Sequence, residues 1–452
     1  MGEGGETIAI AEENGGLIVD SGETNSTWPA MRFDVSPYRT HHFSKQFRAS
    51  RNPNNFLKGL KWSPDGSCFL ASSEDNTLSL FYLPQDGGES NGYGVTIPEE
   101  DSYGASLLVN EGESVYDFCW YPYMSVSDPL TCVFATTTRD HPIHLWDSSS
   151  GEVLIFLSME SAAWGFCKLN VVALRCTYRA YDAMDEITAA FSIGFNPGGN
   201  KIFAGYNNSI RVFDLHRPGR DFGQYSTLQK KKEGQAGCIL STLAFSPTNS
   251  GMLAVGSYGQ TTGIYREDNM ELLYVLHGQE GGVTHVQFSK DGNYLYAGGR
   301  KDPYILCWDM RKSVEIVYKL YRATENTNQR VFFDIEPCGR HLGTGGQDGL
   351  VHMYDLQTGN WVSGYQAASD TVNAFSFHPY LPMAATSSGH RRFSIPDDDD
   401  EDNNDVQLKA DENCVSLWSF YVTSQENTSD EHNNGLASNS HHLNVTGEEE
   451  NA

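Results

Sequence analysis

Basic and aromatic residues at predicted turns are the side chains of this sequence that could bind a ligand. The candidates are Arg139, Lys230, Lys231, Lys232, Tyr258, Arg300, Lys301 and Arg330. Lys and Arg side chains neutralise phosphate groups, and the planes of Tyr and Arg stack on unpaired bases for about 1–3 kcal/mol per base. These residue types therefore predict a surface for single-stranded RNA loops. An alternative stays open, in which each cation only solvates its own loop and Arg300 pairs with Asp302.

Motifs for catalysis or metal binding do not occur in the sequence. It contains no glycine-rich phosphate loop, no nucleophile elbow and no H-E-x-x-H motif. The pair His141 and His144 lies at the edge of a predicted strand, and we expect it to be structural. The nine cysteines form no C-x-x-C pair, which indicates free thiols in a reducing compartment. We therefore expect a protein that is not an enzyme and that has no metal site or cofactor.

A repeat of about forty residues positions the predicted turns. In Gly281–Leu320, three short runs alternate apolar with other residues, which is typical of half-buried β-strands. Lys290–Asn293 supplies a tight turn between the first two runs, and Trp308–Asp309 closes the third. Four antiparallel strands that end near Trp-Asp are typical of one blade of a WD-repeat β-propeller. The first strands of seven such units contain Trp62, Trp120, Phe195, Phe245, Phe288, Ile335 and Phe377.

The repeats predict an all-β fold, a seven-bladed WD-repeat β-propeller with disordered acidic tails and insertions. We expect the ring to occupy residues 42–423, between tails at 1–41 and 424–452. Blade seven lacks its outermost strand, so His42–Ser50, which precedes blade one, is predicted to close the ring and remove an exposed sheet edge. The alternative fold is a two-sheet β-sandwich, which the repeated turn and Trp-Asp pattern disfavours.

The net charge of −27 is confined to four polar segments. They are residues 1–30, 85–113, 396–413 and 424–452, and together they carry the whole excess of acids. This composition is typical of disordered segments, so we expect tails and insertions here and a ring that is itself neutral. We also expect these acidic segments to compete with non-specific nucleic acid for the basic turns.

Residues 156–176 interrupt blade two and have no period-two pattern. They carry two cysteines and Trp164 at a point where the last strand of the blade should run directly into Thr177–Tyr181. Two explanations remain open, namely a short apolar helix packed on the ring and sequence translated from an imperfect gene model. We favour the second.

In a propeller, the turn between the second and third strands of every blade lies on one face, and the connections between blades open onto the same face. The eight candidate residues fall on these turns and connections, and they concentrate from blades three and four to blade six. Arg217 and Arg220 follow a third strand instead. We expect these two on the opposite face, where they would contact a protein partner or pair with Asp221.

Several blocks that are not general WD-repeat signatures resemble the telomerase Cajal body protein family. They are Asn55–Gly59, Val115–Tyr121, Arg139–Asp147, Asp185–Ala190, Arg217–Asp221, Gly256–Gly259, Arg300–Asp302, Leu306–Asp309 and Thr327–Arg330. The resemblance covers about residues 55–395 and implies a nuclear protein of Cajal bodies. It implies recognition of the CAB-box loop motif in box H/ACA small Cajal-body RNAs (scaRNAs), a class that includes telomerase RNA in some lineages.

The resemblance also implies partners, namely the proteins of H/ACA ribonucleoproteins, Cajal-body scaffold proteins and a folding chaperonin, for a propeller that is itself monomeric. Two features depart from the family. At its usual position before the first strand of a blade, the Gly-His consensus of WD repeats is present only as His277–Gly278, so we expect the usual His-centred polar network to be missing. Residues 156–176 have no counterpart in the family.

A generic protein-interaction propeller, such as a ubiquitin-ligase substrate receptor or an assembly factor, is the alternative function. Its contact face would be an apolar rim, whereas an RNA-binding scaffold would use the basic rim. No apolar run approaches the roughly twenty residues of a membrane span, and the N-terminus lacks a secretory signal, so we expect no membrane association.

Overall fold

The structure, a computed structural model, describes residues 28–48, 54–83, 104–149, 151–155, 167–171, 174–227, 238–248, 250–312, 315–392 and 412–423. Within these residues, seven four-stranded antiparallel sheets form the blades of a closed propeller. The predicted all-β, seven-bladed fold is therefore confirmed. In the described part of the chain, no helix is long and apolar enough to cross a membrane.

The strands of each blade run from the central channel outward in chain order, except in blade seven. Blades one to three consist of Leu57–Trp62, Cys68–Ser73, Thr77–Tyr82 and Leu107–Asn110; Val115–Trp120, Val133–Thr138, Ile143–Asp147 and Leu174–Tyr178; and Ser192–Phe195, Lys201–Gly205, Ser209–Asp214 and Phe222–Ser226. Blades four and five consist of Leu240–Phe245, Met252–Ser257, Thr261–Arg266 and Leu272–His277; and Val283–Phe288, Tyr294–Gly299, Tyr304–Asp309 and Ile316–Tyr321. Blades six and seven consist of Phe333–Ile335, His341–Gly345, Leu350–Asp355 and Trp361–Gln366; and Val372–Phe377, Met383–Ser388, Val415–Ser419 and Tyr38–Phe43.

The second strand of a blade is its most deeply buried element, because neighbouring blades cover both of its faces. All six residues of Cys68–Ser73 and of Val133–Thr138 are buried.

Aspartates in the first strands also join neighbouring blades. Asp117 accepts a hydrogen bond from Lys61 Nζ (3.0 Å) in blade one and from the amide of Ile193 (3.1 Å) in blade three. Polar bonds of this kind fix the angle between blades where apolar packing alone would allow sliding.

The strand that closes the ring is Tyr38–Phe43, which pairs antiparallel with Val415–Ser419. The prediction that an N-terminal segment closes the ring is correct, but its placement at His42–Ser50 is wrong, because Lys45–Arg48 forms a short helix. The boundary at residue 42 is also wrong. Residues from 28 onward belong to the fold, since Trp28 Nε1 donates to Glu336 Oε1 (2.9 Å) and the buried Phe33 packs on Phe420 (5.3 Å between ring centroids).

Two of the predicted insertions are shorter than expected. The outer strand of blade one, Leu107–Asn110, lies inside the segment assigned to a flexible loop at 85–113. Within 156–176, Cys167–Val171 pairs with Gly151–Ile155 in a two-stranded sheet, and Leu174 already begins the outer strand of blade two. The alternative of a short apolar helix is therefore wrong for residues 167–171 and 174–176, which lie in strands. Residues 1–27, 424–452 and all of 396–413 except Glu412 and Asn413 lie outside the described residues.

A polar network that the sequence seemed to lack is present in blade two. The buried carboxylate of Glu111 accepts hydrogen bonds from His144 Nδ1 (2.8 Å), Trp146 Nε1 (2.9 Å) and the Thr136 hydroxyl. His144 is thus structural, as predicted. The expectation that a His-centred network is missing is therefore wrong for this blade. Glu111, which lies in the segment assigned to an insertion, supplies the central acceptor, so the network forms without a Gly-His pair.

Candidate nucleic-acid interface

Contacts between distant parts of the chain show that the predicted turns share one face of the ring, which we call the upper face. Arg330, on the connection between blades five and six, contacts Tyr258 in the turn of blade four and Tyr116 at the start of blade two. Arg391, in the turn of blade seven, pairs with Glu74 in the turn of blade one. The upper-face turns therefore meet around the mouth of the central channel.

Arg300 stacks on an aromatic ring and does not pair with an acid. Its guanidinium carbon lies 3.9 Å from the centroid of Tyr258. Asp302, the expected alternative partner, is buried and accepts hydrogen bonds from Gln279 Nε2 (3.1 Å) and from the amide of Glu280 (2.9 Å). Pairing of Arg300 with Asp302 is therefore wrong. Arg300 makes no ion pair with any residue that the structure describes.

Close backbone packing sets the position of this turn. A Cβ atom at Gly281 would lie 1.8 Å from the carbonyl oxygen of Arg300, so only glycine lets the two segments approach. The next residue, Lys301, has a positive φ of 52° and is exposed. Its amide donates to the carbonyl of Thr327 (3.0 Å), which ties the turn of blade five to the connection that carries Arg330. Among the described residues, Lys301 has no ion-pair partner.

Arg330 holds two blades together across the channel mouth. Its Nη1 donates to the carbonyl oxygen of Tyr116 (2.9 Å), and its Nη2 donates to the hydroxyl of Tyr258 (3.1 Å). Both acceptors are uncharged, so the positive charge of Arg330 is not neutralised by these contacts. Tyr258 is consequently flanked by two cations, Arg300 over its ring and Arg330 at its hydroxyl.

A cavity of about 640 Å³ opens between these residues, and we call it the channel-mouth cavity. Its lining includes Lys58, Glu74, Tyr116, Tyr258, Arg330 and Arg391. This volume falls within the roughly 300–1,000 Å³ typical of pockets that bind small molecules. On one wall, Lys58 Nζ lies 2.9 Å from a Glu74 oxygen and donates to the Ser114 hydroxyl (2.8 Å). Burial lowers the pKa of Lys58, and the Glu74 carboxylate offsets this only in part.

The remaining candidates do not all join this cluster. Arg139 is exposed in the turn of blade two, with its Nε 3.4 Å from Asp140. Lys230, Lys231 and Lys232 lie outside the described residues. The structure thus brings together Tyr258, Arg300, Lys301 and Arg330 from the eight residues predicted to bind RNA.

The two arginines expected on the opposite face differ in their contacts. Arg217 is exposed. Arg220 pairs with Asp185 (2.5 Å) and lies over the ring of Tyr181 (3.8 Å to the centroid), so the expected pairing with Asp221 is wrong. The ion pair joins two of the sequence blocks, Asp185–Ala190 and Arg217–Asp221, which are separate in the chain.

Sequence reasoning missed several residues of the channel-mouth cavity. The turns of blades one and seven, which carry Glu74 and Arg391, were expected on this face, whereas Lys58 and Tyr116 were not singled out, and no local pattern shows that these four side chains converge. A signal existed nonetheless, because Lys58 and Tyr116 lie inside Asn55–Gly59 and Val115–Tyr121. Those blocks depart from the general WD-repeat signature, and the cavity gives a structural reason for that departure.

Comparisons with known proteins identify the family. The model of the WD domain, G-beta repeat, matches residues 45–81 and 270–309. Telomerase Cajal body protein 1 of Mesocricetus auratus is 38% identical over 421 residues, which cover 90% of this chain and 71% of that protein. The protein of the same name from Homo sapiens is 39% identical over 368 residues, covering 79% and 61% of the two chains.

A more distant relative extends the match to insects. Telomerase Cajal body protein 1 homolog of Drosophila melanogaster is 32% identical over 355 residues, covering 76% of this chain and 59% of that protein. The resemblance noted in the sequence is therefore confirmed. The chain belongs to the telomerase Cajal body protein family of WD-repeat propellers.

Proposed function

We propose that this protein is a non-enzymatic scaffold that binds RNA on the upper face of its propeller. The observation that carries the proposal is Arg300 over Tyr258, a cation on an aromatic ring with no acid partner among the described residues. Lys301 adds a second cation in the same turn as Arg300, and Arg330 adds a third on the connection between blades five and six. Cations without acid partners attract phosphates, and aromatic and guanidinium planes stack unpaired bases, so a single-stranded RNA loop fits this surface.

The RNA that we propose is a box H/ACA small Cajal-body RNA, read through a loop motif, with telomerase RNA included where it belongs to that class. The names of the relatives support this choice, since they place those proteins with telomerase and Cajal bodies. By the same reasoning, the protein directs its ribonucleoprotein to Cajal bodies in the nucleus. We further propose H/ACA ribonucleoprotein proteins, Cajal-body scaffold proteins and a folding chaperonin as partners of a monomeric propeller.

We propose the opposite face of the ring, which we call the lower face, as a separate surface for proteins. Arg217, which follows the third strand of blade three, is exposed and stays a candidate for a protein contact on this face. Arg220 stays a candidate if a partner replaces Asp185, but Asp185 lies on the connection between blades two and three, so this ion pair does not place Arg220 on the lower face. Charge reversal at Arg217 should weaken capture of a protein partner while RNA binding is unchanged, because the two faces are independent in this proposal.

The RNA proposal is tested by two charge-reversal variants of blade five. Arg300→Glu/Lys301→Glu changes the upper-face turn, and Arg311→Glu/Lys312→Glu makes the same change between the third and fourth strands, on the lower face. Binding of a hairpin RNA, with a loop taken from a box H/ACA small Cajal-body RNA, is measured by fluorescence anisotropy over a range of salt concentrations. For single strands, log Kobs falls with log salt by about 0.7 per phosphate contact.

If each upper-face cation contacts one phosphate, the upper-face variant loses affinity and its salt slope is shallower by about 1.4. The lower-face variant should match the unmodified protein. Equal losses in both variants would mean non-specific attraction, and no measurable binding by the unmodified protein would refute the proposal.

A further inference from the structure

We infer that the channel-mouth cavity binds one or two unpaired bases of the RNA loop, while the phosphates stay outside on the rim. The inference rests on the proposed RNA-binding function, and it adds that the cavity binds bases whereas the rim binds phosphates. Three observations support this inference. Two aromatic rings in the cavity are backed by other planar groups, several amide side chains have no hydrogen-bond partner among the described residues, and the charges inside the cavity nearly balance.

Two aromatic platforms line the cavity. Tyr116 stacks on Phe191, with ring centroids 5.4 Å apart and planes 28° apart, and Tyr258 is backed by the Arg300 guanidinium. Each ring therefore has one covered side and lines the same cavity. Arg330 donates to the Tyr258 hydroxyl and to the backbone carbonyl of Tyr116, so it fixes the Tyr258 ring and the backbone that carries the Tyr116 ring before any ligand arrives. Ordering them in advance reduces the entropy lost when a base stacks.

Amide side chains with unused hydrogen-bonding groups surround the platforms. Asn326, Asn328 and Gln347 line the cavity, and their side chains make no hydrogen bond with other described residues. By contrast, Gln329 donates to Asn373 Oδ1 (2.6 Å), and Asn373 donates to the carbonyl of Leu57 (2.7 Å), so those two amides are structural. A free amide offers both a donor and an acceptor, which matches the edge of an unpaired base.

The charge inside the cavity suits a neutral base better than a phosphate. Glu74 pairs with both Lys58 and Arg391, and Asp117 pairs with Lys61 (3.0 Å). One further acid lines the cavity, Asp370, which pairs with His390 (2.5 Å) and Arg392 (2.8 Å). The lining therefore sets three carboxylates, of Glu74, Asp117 and Asp370, against three cations, of Lys58, Arg330 and Arg391, and it offers a phosphate no net attraction. Outside the cavity, Arg300 and Lys301 have no such acids, so phosphates favour the rim.

The test combines a change in the RNA with a change in the protein. The probe is the same hairpin, in which loop bases are replaced one at a time by abasic nucleotides that keep the phosphates. The protein variants are Tyr116→Ala, which removes a platform, and Tyr116→Phe, which keeps it. A third variant, Asn328→Ala, changes an exposed side chain and should leave the fold intact.

We expect an abasic nucleotide at one or two loop positions to weaken binding about 5- to 150-fold. Tyr116→Ala should weaken binding of the intact hairpin similarly, yet add little for the hairpin that is abasic at that position, because both changes remove the same contact. Tyr116→Phe should restore binding, and the salt slope should not change in any of these proteins. Asn328→Ala should also weaken binding of the intact hairpin more than that of the hairpin that is abasic at the same position, but by a smaller factor than Tyr116→Ala.

Several results would overturn the inference. If the unmodified protein binds abasic and intact hairpins equally well, the cavity takes no base, although the rim still binds RNA. Additive losses from Tyr116→Ala and the abasic loop would likewise exclude a shared contact. If Tyr116→Ala fails to fold, Asn328→Ala decides by the same comparison. If the unmodified protein binds neither hairpin, the proposed function falls and this inference falls with it.

Discussion

Glu74→Gln should weaken the fold and strengthen RNA binding, two effects of opposite sign from one substitution. The carboxylate of Glu74 pairs with Lys58 at 2.9 Å, where the two side chains are only 18% and 20% exposed, respectively. Its second partner, Arg391, is 54% exposed. The substitution keeps the shape of the side chain and removes its charge, which leaves two cations at the channel mouth without their acid.

The cost in stability comes mainly from Lys58. A hydrogen bond to a charged group is worth about 1.5–3 kcal/mol when it is shielded from water, whereas an exposed ion pair such as that of Arg391 contributes about 0–1 kcal/mol. We therefore expect a loss of about 2 kcal/mol, or about 4 °C in Tm at roughly 2 °C per kcal/mol for a domain of this size. The gain in RNA binding follows from the loss of one negative charge at the channel mouth, which frees the half-exposed Arg391 for a phosphate and should steepen the salt slope by about 0.7.

Thermal unfolding and anisotropy with the box H/ACA hairpin measure the two effects. Glu271→Gln is the matched control, since Glu271 is an exposed acid between the third and fourth strands of blade four, on the lower face. Beyond the Debye length of about 8 Å at physiological salt, its charge should not reach the RNA. Weaker RNA binding by a folded Glu74→Gln protein would refute the view of the upper face as a cationic surface.

Three further outcomes concern the fold and the acidic segments. Glu111→Ala removes the acceptor of His144, Thr136 and Trp146, and should lower the free energy of unfolding by about 3 kcal/mol in urea titrations; a loss below about 1 kcal/mol would contradict the network. Burial alone would raise the pKa of Glu111, but those hydrogen bonds outweigh it and hold the pKa below its ordinary value of about 4.3. The stability that ionised Glu111 contributes is therefore present above about pH 4.3 and is lost as the pH falls below it. Unfolding midpoints should drop between about pH 5 and pH 3, and they should drop less in Glu111→Ala. A flat profile would exclude a link between ionisation of Glu111 and stability. Deleting residues 396–413 should raise affinity for random RNA at low salt, because it removes nine acids from the segment that follows Arg391 in the chain; unchanged affinity would rule out screening by this segment.

The repeat of turn and strand was enough to predict the seven blades, because inner strands are buried and strongly patterned. Outer strands carry a weaker signal, since one of their faces meets solvent. In Leu107–Asn110, buried and exposed residues alternate within only four positions, and acidic neighbours conceal the strand. Tyr38–Phe43 contains Arg, Thr and two His and has only one buried residue, so the closing strand was placed too late in the chain.

The candidate site was predictable in part for a related reason. Tyr258, Arg300 and Arg330 occupy equivalent turns and connections, so aligning the repeats places them on one face. Which side chains then touch across the channel is a tertiary property. The pairing of Glu74 with both Lys58 and Arg391 joins residues that are 16 and 317 positions apart, and no local pattern encodes it.

The central claim is that the upper face binds box H/ACA RNA. Its most direct test is to purify the protein from its own cells after ultraviolet crosslinking and to sequence the attached RNA, alongside the upper-face and lower-face variants of blade five. We predict enrichment of H/ACA-type RNAs with the unmodified protein and with Arg311→Glu/Lys312→Glu, and its loss with Arg300→Glu/Lys301→Glu. If no RNA crosslinks above background while proteins co-purify, the propeller is a protein-interaction scaffold and the claim is wrong.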